Sequence, residues 1–247
     1  MKVVILAGGL PSTISEENDK IPKPMVRVGE RPLLWHIMKL YSFYGYDDFI
    51  ICTGFKSEII KDYFLNYYIY ESDITVDLLC NQVTIHNNIS EPWKVTIVDT
   101  GLNTSTADRI LKVRQFIGGE DFVISYGDCI SDINIQELAE THSENKKILT
   151  LSVARPTGRN TILPVDGHTF ESGEFKCNAW VNACNIVASN LIFDIIQPND
   201  RFEVETINRV ISMEQATIYK HEGLWAPVET LRDKEYLEEI WRDLKYY

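Results

Sequence analysis

The stretch "VVILAGGLPSTISEENDKIPKPM", Val3–Met25, sets the reading of the whole chain. Val3-Val4-Ile5-Leu6 is a continuous apolar, mostly β-branched run, as expected of a strand buried on both faces of a parallel sheet. The run ends in Ala7-Gly8-Gly9. Two glycines at the end of a strand let backbone N–H groups come close to a phosphate or a base, with no Cβ between them. Taken alone they also read as an ordinary glycine-rich turn into a helix, and they lack the third glycine of the dinucleotide fingerprint. Lys23 stands between Pro22 and Pro24. The flanking prolines fix the backbone and aim one ammonium group, which suits a phosphate contact, although taken alone the lysine reads first as a solvated surface residue. Pro11 removes one backbone donor from the same loop and stiffens it.

Further along, Asp48–Gly54 and Asp121–Tyr126 have the character of the first strand. Between the first two strands, apolar positions 33, 34, 37, 38 and 41 follow helical spacing, so Arg31–Tyr44 is predicted as a helix with Pro32 in its first turn. Ser57–Asn66 and Thr106–Ile117 are predicted as two more. Strand alternating with helix implies right-handed βαβ units and an α/β fold. The segments "ITVDLL", "QVTIHN" and "KVTIVDTG" read as shorter strands making a hairpin excursion. After Asp128 the pattern gives a helix over Asn134–His142, strands over Lys147–Ala154 and Val181–Ala188, and late helices over Phe202–Met213 and Leu231–Leu244. With no repeat, low-complexity tract or linker, residues 1–247 are expected to form a single domain.

Composition narrows the function. The net charge of −12 argues against nucleic-acid binding, because a phosphate backbone would be repelled. An anionic small molecule would need basic residues concentrated locally. No apolar run approaches the ~18 residues of a membrane span, and no cleavable leader pattern is present, so a cytoplasmic protein is expected. The five cysteines include no C-x-x-C pair, which speaks against a disulfide framework or a structural zinc site.

The first loop and Pro22-Lys23-Pro24-Met25 together resemble the signature of the sugar-phosphate nucleotidyltransferases, L-A-G-G-x-G-T-R-L followed by P-K-P-M/L. Glu30–Phe64, Glu91–Gly101 ("EPWKVTIVDTG"), Ser125–Ile135 ("SYGDCISDINI") and Gly223–Trp241 ("GLWAPVETLRDKEYLEEIW") are similar to the glucose-1-phosphate cytidylyltransferases in particular. The combination of W-H-I-M-K, E-P-W, V-D-T-G and T-L-R-D-K is far more specific than the glycine loop, and it spans nearly the whole chain.

The resemblance implies a Rossmann-like nucleotidyltransferase fold: a mainly parallel mixed sheet flanked by helices, with a small β excursion. It also implies transfer of CMP from CTP to a phosphorylated small-molecule acceptor, with Mg²⁺ as cofactor and pyrophosphate as leaving group. Such an in-line displacement needs positioning and charge neutralisation rather than a covalent nucleophile. Leu6, Ala7, Gly8, Gly9, Ser12, Thr13 and Gly127 would hold the nucleotide, and Lys23 its phosphates. Asp128, just past the third strand, would bind the metal with Glu229, which stands where the family has a second aspartate. Arg109, otherwise read as a helix-surface residue, would contact the nucleotide or its triphosphate. Asn182, Lys176 and Trp225 would line the acceptor side. Relatives often assemble, so a homo-oligomer is expected, as is a place in surface or capsular polysaccharide precursor synthesis.

The chain departs from the family pattern at two places. Pro11-Ser12-Thr13 replaces Gly-Thr-Arg, which removes the loop arginine. The F-x-E-K-P lysine is missing after Phe170, and I-N-G-G becomes Val181-Asn182-Ala183-Cys184. Two readings follow. In one, the enzyme uses an acceptor other than glucose 1-phosphate, such as a phosphoglutamine-type compound, with Arg155, Arg159 or Lys176 as replacement cations. In the other, the chain is a catalytically degenerate nucleotide-binding protein with a regulatory or scaffolding role. A glycosyltransferase would present a D-x-D metal pair, which Asp128-Cys129-Ile130 does not supply. A dehydrogenase would need a third glycine in the first loop and an acidic residue after the second strand.

Overall fold

Why Val3–Leu6 is apolar at every position is answered by where it lies: in the middle of a seven-stranded sheet, with helices on both faces. The computed structural model describes residues 1–9, 21–88, 90–156, 165–166, 169–170, 179–244 and 246. In chain order the strands are β1 (Lys2–Leu6), β2 (Arg27–Val28), β3 (Arg31–Pro32), β4 (Asp48–Thr53), β5 (Ser72–Asp77), β6 (Gln82–Asn88), β7 (Lys94–Asp99), β8 (Phe122–Tyr126), β9 (Cys129–Ser131), β10 (Leu149–Ala154), β11 (Val165–Asp166), β12 (Thr169–Phe170), β13 (Val181–Ala188), β14 (Ala216–His221) and β15 (Trp225–Pro227). The helices are α1 (Leu33–Phe43), α2 (Ser57–Tyr70), α3 (Thr106–Ile117), α4 (Ile135–Asn145), α5 (Ile207–Ser212) and α6 (Leu231–Ile240).

The main sheet runs β14-β10-β13-β8-β1-β4-β7, and only β13 is antiparallel to its neighbours. Side chains alternate along β1 and β4. Val3, Ile5, Phe49 and Ile51 pack with α1 on one face, and Val4, Leu6, Ile50 and Cys52 pack with α3 on the other. Each such fully buried aliphatic side chain contributes about 1.5–3 kcal/mol relative to exposure, which is what fixes the register of the two central strands.

Two expectations are corrected. "KVTIVDTG" is not part of an excursion: β7 joins the main sheet parallel to β4 as its edge strand, and only β5 and β6 form a separate hairpin. The late helix over Phe202–Met213 is split into a π-helical turn at Phe202–Thr206 and a short α5. β14 was not anticipated, because an edge strand with its outer side in water lacks a continuous apolar run. Among the described residues no helix is long and apolar enough to cross a membrane.

Candidate active site

The carboxyl ends of β1, β4, β7 and β8 lie along one edge of the sheet, the usual place for a ligand in an open α/β fold. A cleft of about 530 Å³ opens there. Its walls include Leu6, Ala7, Gly8 and Gly9 after β1, Lys23 and Pro24, Tyr126, Gly127 and Asp128 after β8, and the stretch from Leu102 to Thr106 with Arg109. Lys23 begins a short 3₁₀ turn whose N-cap is Pro22, so its backbone is held from both sides. Its Nζ donates to Asp128 Oδ2 at 2.8 Å. The lysine side chain is 15% exposed and the aspartate 39%, so the pair is sheltered on one side and open to the cleft on the other. The backbone N–H of Gly127 donates to Leu6 O and that of Ala7 to Cys52 O, which ties both glycine-bearing turns to the sheet.

Arg109 is not a surface residue. It is buried on α3, and its guanidinium donates to Thr53 O at 3.2 Å, Thr100 Oγ1 at 2.6 Å and Leu102 O at 3.1 Å. Burial pulls its pKa below the ordinary arginine value, with Cys52 and Asp99 opposing. These acceptors leave the positive charge in place beneath the first loop. A Cβ on Gly8 would lie 2.0 Å from Nη1, whereas one on Gly9 would meet nothing within 4 Å among the described residues. Gly8 is therefore required by the arginine below it.

The approach to α3 also shapes the cleft. Ser105 caps the helix through the Asp108 N–H. Glu203, in the π-helical turn, accepts from Tyr126 Oη and from Thr106 Oγ1, both at 2.7 Å, and so bridges β8 to the first turn of α3. Burial, followed by the charge of Glu203, pushes the Tyr126 phenol well above its usual pKa.

This arrangement agrees with three comparisons. A model of the nucleotidyl transferase family matches residues 2–161. The glucose-1-phosphate cytidylyltransferase of Salmonella typhi is 39% identical over 247 residues, covering 98% of this chain and 96% of that protein. The chain belongs to the nucleotidyl transferase family. Other similarities show how widely that family varies. A D-glycero-alpha-D-manno-heptose 1-phosphate guanylyltransferase of Aneurinibacillus thermoaerophilus is 25% identical over 212 residues, 83% of this chain and 82% of its own. The crystal structure of HddC from Yersinia pseudotuberculosis complexed with GMP-PN superposes with a TM-score of 0.69 at 19% identity, covering 97% of this chain and 99% of that one. At that identity the likeness concerns the fold, which is the Rossmann-like nucleotidyltransferase fold.

For this family member, the structure brings eight of the anticipated residues into one cleft: Leu6, Ala7, Gly8, Gly9, Lys23, Arg109, Gly127 and Asp128. Ser12, Thr13, Lys176 and Arg159 lie outside the described residues. Glu229 is exposed and does not line the cleft. Its neighbour Val228 donates to Asp128 O at 2.8 Å, and its own N–H donates to Asp233 Oδ2 beside the capping box of α6. Asn182 and Trp225 also lie outside the cleft lining. Asn182 Oδ1 accepts from Cys184 N, and Cys184 has a φ of 68°, the conformation that favours glycine. Ala183 is fully buried, and the Cys184 thiol turns onto Asn182 O and the buried Cys129. The side chains that replace the two glycines are thus taken up within the fold rather than added to the cleft. Sequence reading missed the Leu102–Thr106 wall and Glu203. The first was signalled by the hydroxyl-rich run "NTST" before α3, but nothing local marked the second.

Proposed function

We propose that the chain transfers CMP from CTP to a phosphorylated small-molecule acceptor and releases pyrophosphate. The observation that carries this reading is the Lys23–Asp128 pair on the wall of a cleft that Gly9 and Arg109 also line. An acceptor phosphate oxygen attacks the α-phosphorus in line with the departing pyrophosphate. The chain's task is to hold the two groups and offset their charge. Lys23 neutralises phosphate oxygens as a point charge. Arg109 adds a fixed positive field under the loop. Ser105 offers its hydroxyl and the N-terminal end of α3.

Mg²⁺ suits the donor set. Among the described residues no three His, Cys, Asp or Glu side chains converge, and Mg²⁺ is typically bound by one or two carboxylates, with water and substrate phosphate completing its shell. Asp128 is the principal candidate ligand, its carboxylate partly exposed to the cleft; Glu229, exposed and outside the cleft lining, would reach the ion only through water. When bound, the ion neutralises charge across the triphosphate. Lys23, held beside Asp128 at 2.8 Å, would contact a phosphate oxygen from the same wall of the cleft.

Membership of a family that includes both a cytidylyltransferase and a guanylyltransferase leaves CTP supported by the similarity to the Salmonella typhi enzyme. The missing loop arginine and acceptor lysine favour an acceptor other than glucose 1-phosphate. The test is ³¹P NMR of the protein with CTP, Mg²⁺ and pooled sugar 1-phosphates or phosphorylated amino-acid derivatives, with ATP, UTP and GTP as controls. Pyrophosphate with a new CMP diphosphate signal from one pool is expected. CTP binding without product from any pool would favour the nucleotide-binding, non-catalytic reading instead.

A further inference from the structure

Past β8 the sheet continues into β13, β10 and β14, and their ends at the carboxyl edge carry a cluster that does not line the cleft described above. Because β13 is antiparallel to both β8 and β10, its first residues lie beside the last residues of those strands. The pairing of Ala154 with Val181 brings Arg155 beside Trp180, and the guanidinium carbon lies 4.0 Å from the centre of the indole. Lys220, opposite Val153 in the parallel β10–β14 pair, places its Nζ 5.4 Å from the same ring. Alternation along the strands puts Lys220, Arg155, Trp180 and Asn182 on one face. Leu149 and Leu151 pack on that face with Leu6 and the side chains of α3. The cluster and the first turn of α3 therefore stand on the same side of the sheet.

Taking the chain as the cytidylyltransferase proposed above, we infer that Arg155 and Lys220, set about Trp180, hold a second anionic group at the far end of the acceptor. The acceptor class is then a phosphorylated compound of single-sugar size that carries a carboxylate or another phosphate distal to the attacking one. Neighbouring strands stand about 4.8 Å apart, so β10 lies about 10 Å and β14 about 14 Å from β8, the strand that leads to Asp128. That span separates the two ends of such a molecule rather than two oxygens of one phosphate. Arg155 and Lys220 are exposed and Trp180 is half-buried, so the indole is a plate on which the cations rest. A guanidinium stacked on an aromatic face keeps its N–H edge for a carboxylate or phosphate. Two like charges around one ring repel each other, and an anion held by both relieves that cost. In a chain of net charge −12, this is the local concentration of cations that an anionic small molecule requires.

The test is direct binding, by isothermal titration calorimetry of the full chain with Mg²⁺, in the presence and absence of α,β-methylene-CTP, which cannot release pyrophosphate. Three probes are compared: glucose 1-phosphate, glucuronic acid 1-phosphate and glucose 1,6-bisphosphate. At least one of the two compounds with an anionic far end should bind about tenfold or more tightly than glucose 1-phosphate, as one added charge-assisted contact gives. Which of them does so tells a carboxylate from a phosphate. The preference should be lost in Arg155→Gln/Lys220→Gln, whose exposed positions leave the fold intact by near-UV circular dichroism, and largely kept in Arg155→Lys/Lys220→Arg. No preference in the wild type, a preference that survives loss of both cations, or no binding of either anionic compound at millimolar concentration would overturn the inference. Anionic acceptors bound without transfer of CMP from CTP would sink the transfer and leave this site standing. Transfer to glucose 1-phosphate with no preference among the probes would sink this site alone.

Discussion

Gly8 and Arg109 occupy adjoining space: the guanidinium fills the volume that a side chain at position 8 would need, with Nη1 2.0 Å from an ideal Cβ. The same guanidinium joins the end of β4, through Thr53 O, to the turn after β7, through Thr100 and Leu102. The first loop, the ends of two strands and α3 are therefore one packed unit. Gly8→Ala should lower stability by about 1–3 kcal/mol through overpacking, read as a fall in melting temperature. Gly9→Ala, whose Cβ meets nothing within 4 Å among the described residues, should leave stability within about 1 kcal/mol. Equal melting temperatures for the two variants would contradict this packing.

Arg109→Lys should be costly, because one ammonium group cannot serve three acceptors that a planar fork reaches. Thr53 O keeps the Thr100 N–H and Oγ1 as donors, so the loss falls on Thr100 Oγ1 and Leu102 O and should cost about 1–3 kcal/mol in all. The Gly8→Ala/Arg109→Ala pair should be less destabilised than the sum of its single variants, since removing the guanidinium removes the nearest clash. Thr53 C, 2.9 Å from the same Cβ, keeps the relief partial. A denaturation cycle that gave strict additivity would show that the two residues do not share this space.

Much of this unit was legible before the fold. The strand–Gly-Gly turn, the bounds of α3 at Thr106–Ile117 and the position of Asp128 after β8 follow from local pattern, because buried parallel strands and capped helices write their periods into the sequence. The role of Arg109 did not. Helical spacing places it on a helix, but its burial depends on Gly8, Thr53 and Thr100, which come from three other parts of the chain. Glu203 was hidden for the same reason: its partners Tyr126 and Thr106 are 77 and 97 residues away. The edge position of β7 was misread because alternating strands in a hairpin and at a sheet edge look alike until pairing is known.

Lys23 and Asp128 should matter more for turnover than for stability. An ion pair open to solvent on one side contributes about 0–1 kcal/mol, so Lys23→Ala and Asp128→Asn should melt close to wild type. Loss of a charge that stabilises the transition state costs about 10²–10³ in kcat. Lys23→Ala is expected to fall in that range, and Asp128→Asn to abolish product formation. Wild-type turnover by a folded Asp128→Asn protein, measured as pyrophosphate release, would remove Asp128 from the mechanism.

Glu203→Gln probes the bridge behind the cleft. The amide keeps one acceptor oxygen, so either Tyr126 or Thr106 must turn its hydroxyl to accept from the amide N–H₂, and both lose a charged acceptor. The expected cost is about 1–2 kcal/mol in stability, with a raised KM for the nucleotide and a smaller change in kcat, because these residues shape the cleft wall rather than touch reacting atoms. Unchanged nucleotide affinity would limit the bridge to a structural role.

His36 sets an acid limit on stability. It is fully buried on α1, its Nε2 lies 2.9 Å from Val28 O, and burial lowers its pKa from 6.5 to about 4, against the opposing hydrogen bonds to the Val28 and Arg31 backbone. The unfolded chain therefore takes up a proton on this residue at a higher pH than the folded chain does. The contribution is complete above pH 6.5 and is lost as pH falls from there through about 4. At about 1.4 kcal/mol per pKa unit, the loss reaches about 3 kcal/mol. His36→Gln keeps a donor for Val28 O but does not titrate, so its stability should fall less between pH 7 and pH 4. The comparison rests on the slope of unfolding free energy against pH rather than on its level, since glutamine alters packing at every pH. Parallel slopes for the two proteins would mean that His36 is not the group that titrates on unfolding.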